Sequence, residues 1–361
     1  MKLIELSYSN GEWELDKLEF GRVSLIVGKN ATGKSRTLGV IDTLIKILSQ
    51  KIPVFFPSEW NLSLEEETGS VFNYQFKSGV RNNEVFIISE TLKRNDEILL
   101  KRVESNSTIK NEVSKKEESI SPPENKLILH TNRDIKKYPF LEQISTWAEQ
   151  AVGFQFGSIS PKYHFNQQYS FSASPSEVEM TSIFLSLTNQ GRQNVKEDFQ
   201  KIGFSILEIE VRHGSPIDYF AIRENDVVRR IDESDISQGM FRCMYLLIFL
   251  ESLVTKQRPS TLIIDDLCEG LDYDRATKLG DLVYKKCLNN EIQLIATSND
   301  VFLMDVVDIS FWNVLQRNGR SVTSLNYKKN EALFDSFKYT GLSNFDFFSS
   351  DYLAQNLRKG K

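Results

Sequence analysis

The sequence predicts an α/β fold, a mixed sheet with flanking helices, that carries a large α+β insertion. The apolar strand Val23–Val27 runs directly into the glycine-rich residues Gly28–Ser35, and a helix with one apolar face follows them. Near the other end of the chain, two short apolar strands at residues 261–264 and 292–297 flank a predicted helix, which is typical of parallel sheets. Residues 51–231 lack this regular alternation and therefore predict the insertion.

The composition is that of a globular protein with a sizeable core. The 361 residues are 40% hydrophobic and 26% charged. The net charge of −5 predicts no dominant basic surface, so nucleic acid is possible only at a local patch and is not indicated by charge. Three cysteines without close spacing favour a reducing, cytoplasmic setting. The first residues show no hydrophobic region typical of a signal peptide, and the most apolar run is too short for a bilayer, so no membrane contact is expected.

The elements predicted before residue 231 are mostly short. Alternating apolar and polar residues around Asn10-Gly11 predict a hairpin that leads into the strand at 23–27. The insertion is expected to hold antiparallel strands and helices, with strands at 71–77, 84–89, 97–104, 126–130, 204–211 and 219–222 and helices at 141–151 and within 181–199. The polar residues 105–125 predict an exposed, mobile loop, and 162–174 show no clear period.

Regular patterning returns at Asp235. A helix that is apolar nearly all round runs to Val254, and the strand–helix–strand of residues 261–297 and a hairpin at Asn318-Gly319 follow. These changes of character predict four parts: residues 1–50 with the glycine-rich loop, the insertion 51–231, residues 232–310 with a serine–glycine turn and an acidic strand end, and a hairpin and tail at 311–361.

Residues 28–35 match the phosphate-loop pattern G-x-x-x-x-G-K-[ST]. Gly28 and Gly33 let the backbone bend so that successive N–H groups face anionic oxygens. Lys34 is expected to face solvent until it reaches the β- and γ-phosphates, and the Ser35 hydroxyl is a ligand for Mg²⁺. The motif therefore predicts nucleotide binding, with further contacts from Asn30, Ala31, Thr32 and Arg36.

Three further pieces follow the loop in a fixed order. They are the turn Ile236–Met240, the strand that ends in Asp265-Asp266 and the strand that ends in Ser298-Asn299. Together with the loop they resemble the ABC-type ATPases, within them the SMC/RecF/OLD-like branch, and also short AAA-family ATP-binding proteins of bacterial defence operons. The resemblance covers about residues 1–49 and 235–309, and it implies an ABC-type nucleotide-binding domain.

The resemblance also implies ATP and Mg²⁺ as ligands and a head-to-tail homodimer closed by two ATP molecules, or a higher assembly. Ser237 and Gly239 match the signature turn that caps the γ-phosphate bound by the other protomer. Asp265 matches the acidic residue that orients Mg²⁺, and a carboxylate at such a strand end has the same rationale by itself. Asp272 matches the loop that lies at the dimer interface.

Two positions depart from the family pattern. Asp266 stands where the family usually has the glutamate that polarises the attacking water, and Asn299 stands where it usually has histidine. Aspartate is one methylene shorter, and a displacement of about 1 Å can cost about a hundredfold in rate. Asp266, Asn299 and Lys34 are therefore the candidate catalytic side chains, and slow hydrolysis is expected.

Each feature also has a plainer structural interpretation. Ser237 followed by Gly239 can simply cap a helix, and Asp265-Asp266 can be a strand end that meets solvent. The three histidines have no metal-like spacing, and Trp13 is expected to pack in the core rather than to stack on adenine. The fixed order of the four pieces makes coincidence the weaker explanation.

Two functions stay open. One is a regulatory ATPase, a dimeric switch or scaffold for a partner effector, which only the resemblance places in bacterial antiviral defence. The other is an SMC/RecF-like ATPase that engages DNA in repair or genome maintenance. The lack of coiled-coil heptads and of a basic stripe favours the first, with the insertion as the part that binds a partner or trigger.

Overall fold

The computed structural model describes residues 1–103, 106–159, 177–214, 218–256, 260–349 and 352. The chain forms two compact units. The first holds residues 1–21, 28–151 and 313–326, and the second holds residues 22–27, 152–312 and 327–361. Both units combine helices with β-structure, and this mixed α/β architecture confirms the predicted fold class. The weakly patterned region 162–174 lies outside the described residues.

The first unit is a largely antiparallel sheet with three helices. Its strands are β1 Lys2–Ser9, β2 Glu14–Glu19, β4 Ser58–Glu65, β5 Val71–Arg81, β6 Glu84–Arg94, β7 Glu97–Val103, β8 Asn106–Lys110, β9 Glu117–Ile120, β16 Trp312–Asn318 and β17 Ser321–Asn326. Their order is β16-β17-β2-β1-β4-β5-β6-β7-β8-β9, and β17 with β2 forms the parallel pair. The helices are α1 Lys34–Leu48, α2 Ile128–Thr131 and α3 Pro139–Gln150.

Alternation of side chains decides which face of this sheet is buried. On β4 and β5, large apolar and aromatic residues at every second position point inward, among them Trp60, Leu62, Tyr74 and Phe76. The tight turn between β5 and β6 has Asn82 and Asn83 at positive φ, as a two-residue hairpin requires. The strands predicted at 71–77, 84–89 and 97–104 are therefore β5, β6 and β7.

The polar residues 105–125 are not the loop that their composition predicts. Within the described part, β8 and β9 pair as a hairpin and extend the sheet beyond β7. Ser107 and Ile109 on β8 are buried, and Asn111 donates a hydrogen bond of 2.7 Å to Glu118. Pairing with β7 supplies the order here, and a long-range pairing leaves little trace in a polar sequence.

Residues 126–130 are not the predicted buried strand, because Ile128 begins the short helix α2. The buried carboxylate of Glu90 accepts hydrogen bonds from the N–H groups of Ile128 at 2.8 Å and Leu129 at 3.4 Å, and the Tyr74 hydroxyl donates to it at 2.6 Å. Burial raises the pKa of Glu90. A side chain far away in sequence thus caps this helix, which a local apolar pattern does not reveal.

The second unit contains a parallel sheet in the order β10-β14-β15-β3. Its strands are β3 Val23–Val27, β10 Val152–Gln155, β14 Ser260–Asp265 and β15 Ile292–Thr297, and a separate antiparallel sheet holds β11 Ile206–Arg212, β12 Tyr219–Glu224 and β13 Ile231–Asp232. The helices are α4 Glu177–Ser186, α5 Asn189–Lys201, α6 Gln238–Lys256, α7 Tyr273–Asn289, α8 Val301–Val306, α9 Glu331–Lys338 and α10 Asn344–Ser349. Strand β10 belongs to this sheet, although its residues lie within the range 51–231 that the sequence analysis predicted as an insertion.

Helix α6 is the buried centre of the second unit, since every residue from Met240 to Leu253 is buried. Its Glu251 accepts a hydrogen bond of 2.7 Å from Lys286 of α7, and Lys286 also pairs with Asp198 of α5. Among the described helices, none has both the length and the apolar composition that a membrane span needs.

Candidate functional site

The predicted phosphate loop of the first unit has the bent backbone that its glycines allow. Within Gly28–Ser35, Ala31 and Gly33 both have positive φ, at 65° and 104°. The loop closes on itself, because the N–H and the hydroxyl of Thr32 both donate to the carbonyl of Lys29, at 3.2 and 2.8 Å. When the sign of φ alternates between successive residues, their N–H groups point toward the same side, which is the geometry of an anion nest.

Lys34 does not face solvent as the sequence predicted. It is only 7% exposed, and its Nζ donates to the carbonyl oxygens of Gly28 at 2.6 Å and Lys29 at 3.4 Å. The ammonium group therefore lies across the concave side of its own loop, held by backbone carbonyls. Lys34 can release these two bonds for a phosphate, since an ammonium binds an anion more strongly than a neutral carbonyl.

At Gly28 the loop has no room for a side chain, which leaves its backbone N–H groups open to a polyphosphate. A Cβ atom on Gly28 would lie 2.5 Å from the Thr32 hydroxyl, and one on Gly33 would lie 3.4 Å from the Trp13 ring. Trp13 is fully buried and packs under the loop, as expected for a core residue. Arg36 lies 5.0 Å above the same ring, and Arg317 donates to the carbonyl of Ala31 at 3.2 Å.

The start of α1 is electrostatically suited to an anion. Its N-cap is Gly33 without a side-chain cap, and its first turn holds no acidic residue while it carries Lys34 and Arg36. Basic residues there add to the positive end of the helix dipole instead of compensating it. Ser35, Arg36 and Asn30 are exposed, so the loop presents cationic and hydroxyl groups to a ligand such as triphosphate with Mg²⁺.

The acidic strand end lies in the second unit. Asp265 is the last residue of β14 and is partly exposed. The Thr297 hydroxyl, at the end of the neighbouring parallel strand β15, donates to Asp265 Oδ1 at 2.6 Å and accepts from the N–H of Asp266 at 2.9 Å. Thr297 therefore orients both acidic residues. The sequence analysis missed Thr297, and its position as the last residue of a strand was the signal that could have indicated it.

The structure brings Asp266 and Asn299 together. Asn299 Nδ2 lies 3.4 Å from Asp266 Oδ1, a long hydrogen bond between the two residues that depart from the family pattern. Asp266 and Cys268 have positive φ, at 53° and 70°, and Gly270 follows at 78°. Such backbone costs about 1–3 kcal/mol for each side-chain-bearing residue and is concentrated at functional sites.

Gln155 is a candidate that the sequence analysis missed. It ends β10, and β10 pairs in parallel with β14 so that Gln155 is the register partner of Asp265. Gln155 and Asp265 therefore lie at the same edge of the sheet, at the carboxyl ends of two neighbouring strands. Its strand has only four residues, which left no periodic signal in the sequence.

The signature turn starts α6 as predicted. Ser237 accepts from the N–H of Met240 at 3.4 Å through its hydroxyl, and from the N–H of Phe241 at 2.9 Å through its carbonyl. Gly239 packs on the loop after β14, because a Cβ there would lie 3.0 Å from Leu271 Cδ2. Ser237 itself is exposed and can meet another molecule.

Asp272 caps α7, since its carboxylate accepts from the N–H of Arg275 at 3.0 Å. That hydrogen bond holds the pKa of Asp272 below its usual range. A capping role worth about 1 kcal/mol explains this residue without a partner protomer. The interface role that the resemblance implies for Asp272 stays a prediction.

Arg242 on α6 is a second missed residue. It is 7% exposed, and its guanidinium donates to the carbonyls of Ile159 at 3.0 Å and Glu269 at 2.8 Å, and to that of Gly157. Burial lowers the pKa of Arg242, but a guanidinium stays charged. Arg242 thereby ties the loop after β10 to the loop after β14. A charged residue within the apolar run Phe241–Leu250 was the signal in the sequence.

The predicted site residues thus form two groups. The loop residues 28–36 lie in the first unit, and Ser237, Gly239, Asp265, Asp266 and Asn299 lie in the second. Within the described residues, no group of three or more His, Cys, Asp or Glu side chains is placed to hold a metal ion. Mg²⁺ needs only one or two carboxylates beside phosphate oxygens, so the chemistry of the Asp265 carboxylate suits it.

Solved structures of SMC heads are similar to this chain. An Smc head bound to the C-winged helix domain of ScpA has a TM-score of 0.56 at 12% identity, covering 91% of this chain and 99% of that one. An SMC head domain from Thermotoga maritima has 0.47 at 15%, covering 90% and 99%. An Smc head with an extended coiled coil, bound to the C-terminal domain of ScpA derived from Pyrococcus furiosus, has 0.48 at 12%, covering 93% and 99%.

No protein-family model and no curated protein matches the sequence. At such low identity the structural likeness concerns the fold, and the head with the TM-score of 0.56 carries it. This chain has the fold of an SMC head domain, the ABC-type fold that its motifs predicted.

Proposed function

We propose that this protein binds ATP with Mg²⁺ and hydrolyses it slowly. The observation that carries the proposal is the phosphate loop: a nest of backbone N–H groups, a buried lysine whose ammonium donates to loop carbonyls, and a helix start with uncompensated positive charge. A site of this kind favours a polyanion over any neutral ligand.

Each residue then has a role in this proposal. Lys34 leaves the carbonyl of Gly28 and binds the β- and γ-phosphates, while the loop N–H groups hold the phosphate oxygens. Ser35 and Asp265 hold Mg²⁺, which supplies Lewis-acid neutralisation of phosphate charge. Thr297 keeps the Asp265 carboxylate in one orientation through its hydrogen bond of 2.6 Å.

The biological role that we propose is a dimeric switch that holds a partner effector in one state, in bacterial antiviral defence. A slow ATPase suits a switch, because a ligand needs only a few kcal/mol of differential affinity to invert two populations. The exposed Ser237 supports a head-to-tail dimer as the form that binds ATP. A reducing, cytoplasmic setting agrees with three free buried cysteines, and burial raises the pKa of Cys287 to about 12.

A DNA-engaging ATPase is the second candidate, favoured by the likeness to an SMC head over 91% of the chain. It predicts ATP-dependent binding of duplex DNA whose affinity falls steeply with salt. The switch predicts no such binding at physiological salt, in keeping with the net charge of −5. Fluorescence anisotropy with labelled duplex DNA at two salt concentrations separates the two functions.

The proposal is tested by Lys34→Ala. Losing one charge-assisted hydrogen bond of about 1.5–3 kcal/mol weakens binding by roughly 10- to 100-fold, so ATP affinity should fall at least that far. Isothermal titration calorimetry measures the affinity.

The matched control is Lys29→Ala, which removes an exposed lysine from the same loop and should leave the affinity within a few-fold. Circular dichroism on both variants checks the fold, because Lys34 also holds its own loop together. Equal ATP affinity in Lys34→Ala and the wild type would refute nucleotide binding at this loop.

A further inference from the structure

We propose that Arg317 is a positioning residue for nucleotide binding, because from the β16–β17 hairpin it holds Ala31 of the phosphate loop in a left-handed conformation. The inference rests on the proposed binding of ATP and deepens it by naming a residue that controls the affinity. Arg317 follows Ala31 by 286 positions and belongs to none of the motifs described above. Both residues lie in the first unit, as does the whole loop from Gly28.

The first support is the backbone of Ala31. Its φ of 65° lies in the left-handed region, which a residue with a Cβ rarely adopts. The loop turns its N–H groups toward one side only while this angle is kept, because a nest requires φ of alternating sign. Glycine would take the angle freely, but alanine favours another one, so a contact that holds Ala31 in place favours ligand binding.

The second support is the contact itself. Arg317 Nη1 donates to the carbonyl oxygen of Ala31 at 3.2 Å, and Arg317 Nε donates to the carbonyl oxygen of Gly319 at 2.8 Å. The bond to Gly319 fixes the planar guanidinium against its own hairpin, so little freedom is left for Nη1. The Ala31 carbonyl belongs to the same peptide plane as the N–H of Thr32, whose bond of 3.2 Å to the Lys29 carbonyl closes the loop. Arg317 therefore holds the peptide plane on which the closed loop depends.

The third support is packing, since the hairpin lies against both ends of the loop. A Cβ on Gly28 would lie 3.4 Å from the carbonyl oxygen of Leu315, and one on Gly33 would lie 3.7 Å from Val322 Cγ2. Leu315 and Val322 are buried. Val322 is also the register partner of Arg317, so the two side chains lie on the same face of the hairpin. That face contacts the loop, so the arginine has a fixed place beside it.

The fourth support is charge. Arg317 is exposed, and both of its hydrogen bonds go to neutral carbonyls. Among the residues that the structure describes, no carboxylate pairs with it. Its positive charge therefore adds to those of Lys34 and Arg36 near the loop, and an anion is favoured there. Arg317 thus suits the binding of a polyphosphate in its charge as well as in its contact.

The experiment compares Arg317→Ala with Arg320→Ala, which removes the same charge from the same hairpin. Arg320 is also exposed and donates to a backbone carbonyl at 3.2 Å, but that carbonyl belongs to Gly11, outside the loop. Losing the hydrogen bond to Ala31 should weaken ATP binding about tenfold in Arg317→Ala, whereas Arg320→Ala should keep the affinity within about threefold. Isothermal titration calorimetry with ATP and Mg²⁺ measures both affinities.

A readout that a merely structural role would not change is the dependence on residue 31. Glycine adopts a φ of 65° without strain. Arg317→Ala should therefore weaken ATP binding less than about threefold in an Ala31→Gly background, against about tenfold with alanine at that position. Such a pair is non-additive, as expected for two residues in contact.

Thermal unfolding without nucleotide checks that the comparison concerns binding. It should be the same for Arg317→Ala and Arg320→Ala, because both arginines are exposed and each donates to a single carbonyl outside its own hairpin.

The inference is overturned if Arg317→Ala binds ATP as tightly as the wild type, or if it loses the same factor with alanine and with glycine at position 31. Equal losses in Arg317→Ala and Arg320→Ala would also overturn it, since the effect would then be one of charge alone. In each of these cases the wild type still binds ATP and the proposed function stands. A wild type that binds no ATP would instead overturn the proposed function, and this inference with it.

Discussion

At the scale of single residues, Thr297 shows how one hydroxyl orders an acidic site. It bridges Asp265 Oδ1 at 2.6 Å and the N–H of Asp266 at 2.9 Å, so one hydroxyl joins the last residue of β14 to the residue that follows it. Partners of metal-ligating carboxylates typically contribute about 10–100-fold to metal affinity or activity. Thr297→Val keeps the shape and removes the bridge.

We therefore expect Thr297→Val to raise the Mg²⁺ concentration for half-maximal hydrolysis by about tenfold. A titration of turnover against Mg²⁺ measures this. Thr261→Val is the control, because Thr261 lies at the other end of β14 and its hydroxyl bonds to Gln293 at 3.1 Å. An unchanged Mg²⁺ requirement in Thr297→Val, or an equal shift in both variants, would contradict the role.

At the scale of elements, helices α5, α6 and α7 meet at a buried ion triad. Lys286 pairs with Asp198 and with Glu251, whose side chains are 4% and 3% exposed. Asn194 of α5 also donates to Glu251 at 2.8 Å. Without Lys286, two buried carboxylates would lose their common cation, and breaking such a pair costs about 3–5 kcal/mol.

Lys286→Ala should therefore lower the free energy of unfolding by about 3–5 kcal/mol, measured by urea denaturation. Lys285→Ala is the neighbouring control, since Lys285 forms an exposed i,i+4 pair with Asp281 and should change stability little. If both variants unfold at the same urea concentration, the ion triad does not stabilise the packing of α5, α6 and α7.

At the scale of the whole molecule, we expect the signature turn to contact a second protomer. Ser237 is exposed, and Gly239 keeps side chains away from the surface where Leu271 packs. We expect ATP to close a dimer through this turn, since a second phosphate-bearing protomer would give the exposed hydroxyl a ligand. Gly239→Asp would put a carboxylate against phosphate oxygens.

Sedimentation with a non-hydrolysable ATP analogue should show a dimer for the wild type and none for Gly239→Asp. Gly239→Ala is the matched control, because its Cβ makes the same contact of 3.0 Å with Leu271 Cδ2 without adding charge. It should still dimerise. The same sedimentation for wild type and Gly239→Asp would remove the composite site from the proposal.

The sequence by itself determined the features that contiguous residues specify. The loop 28–35, the strands 261–264 and 292–297 and the buried helix α6 were predicted because spacing and periodicity act over a few residues. The order of these pieces carries the resemblance that implied the ABC-type fold, and the structural likeness to an SMC head agrees with it.

Only the tertiary structure decided what meets across long separations. Thr297 and Gln155 lie beside Asp265 through strand pairing, and Arg242 joins the loops after β10 and β14 through their backbone carbonyls. The hairpin of β8 and β9 likewise depends on pairing with β7, and Lys34 turns inward because the folded loop places the carbonyls of Gly28 and Lys29 within reach of its ammonium group. Hydrogen bonds and packing between distant residues leave no periodic signal, so local patterns could not predict them.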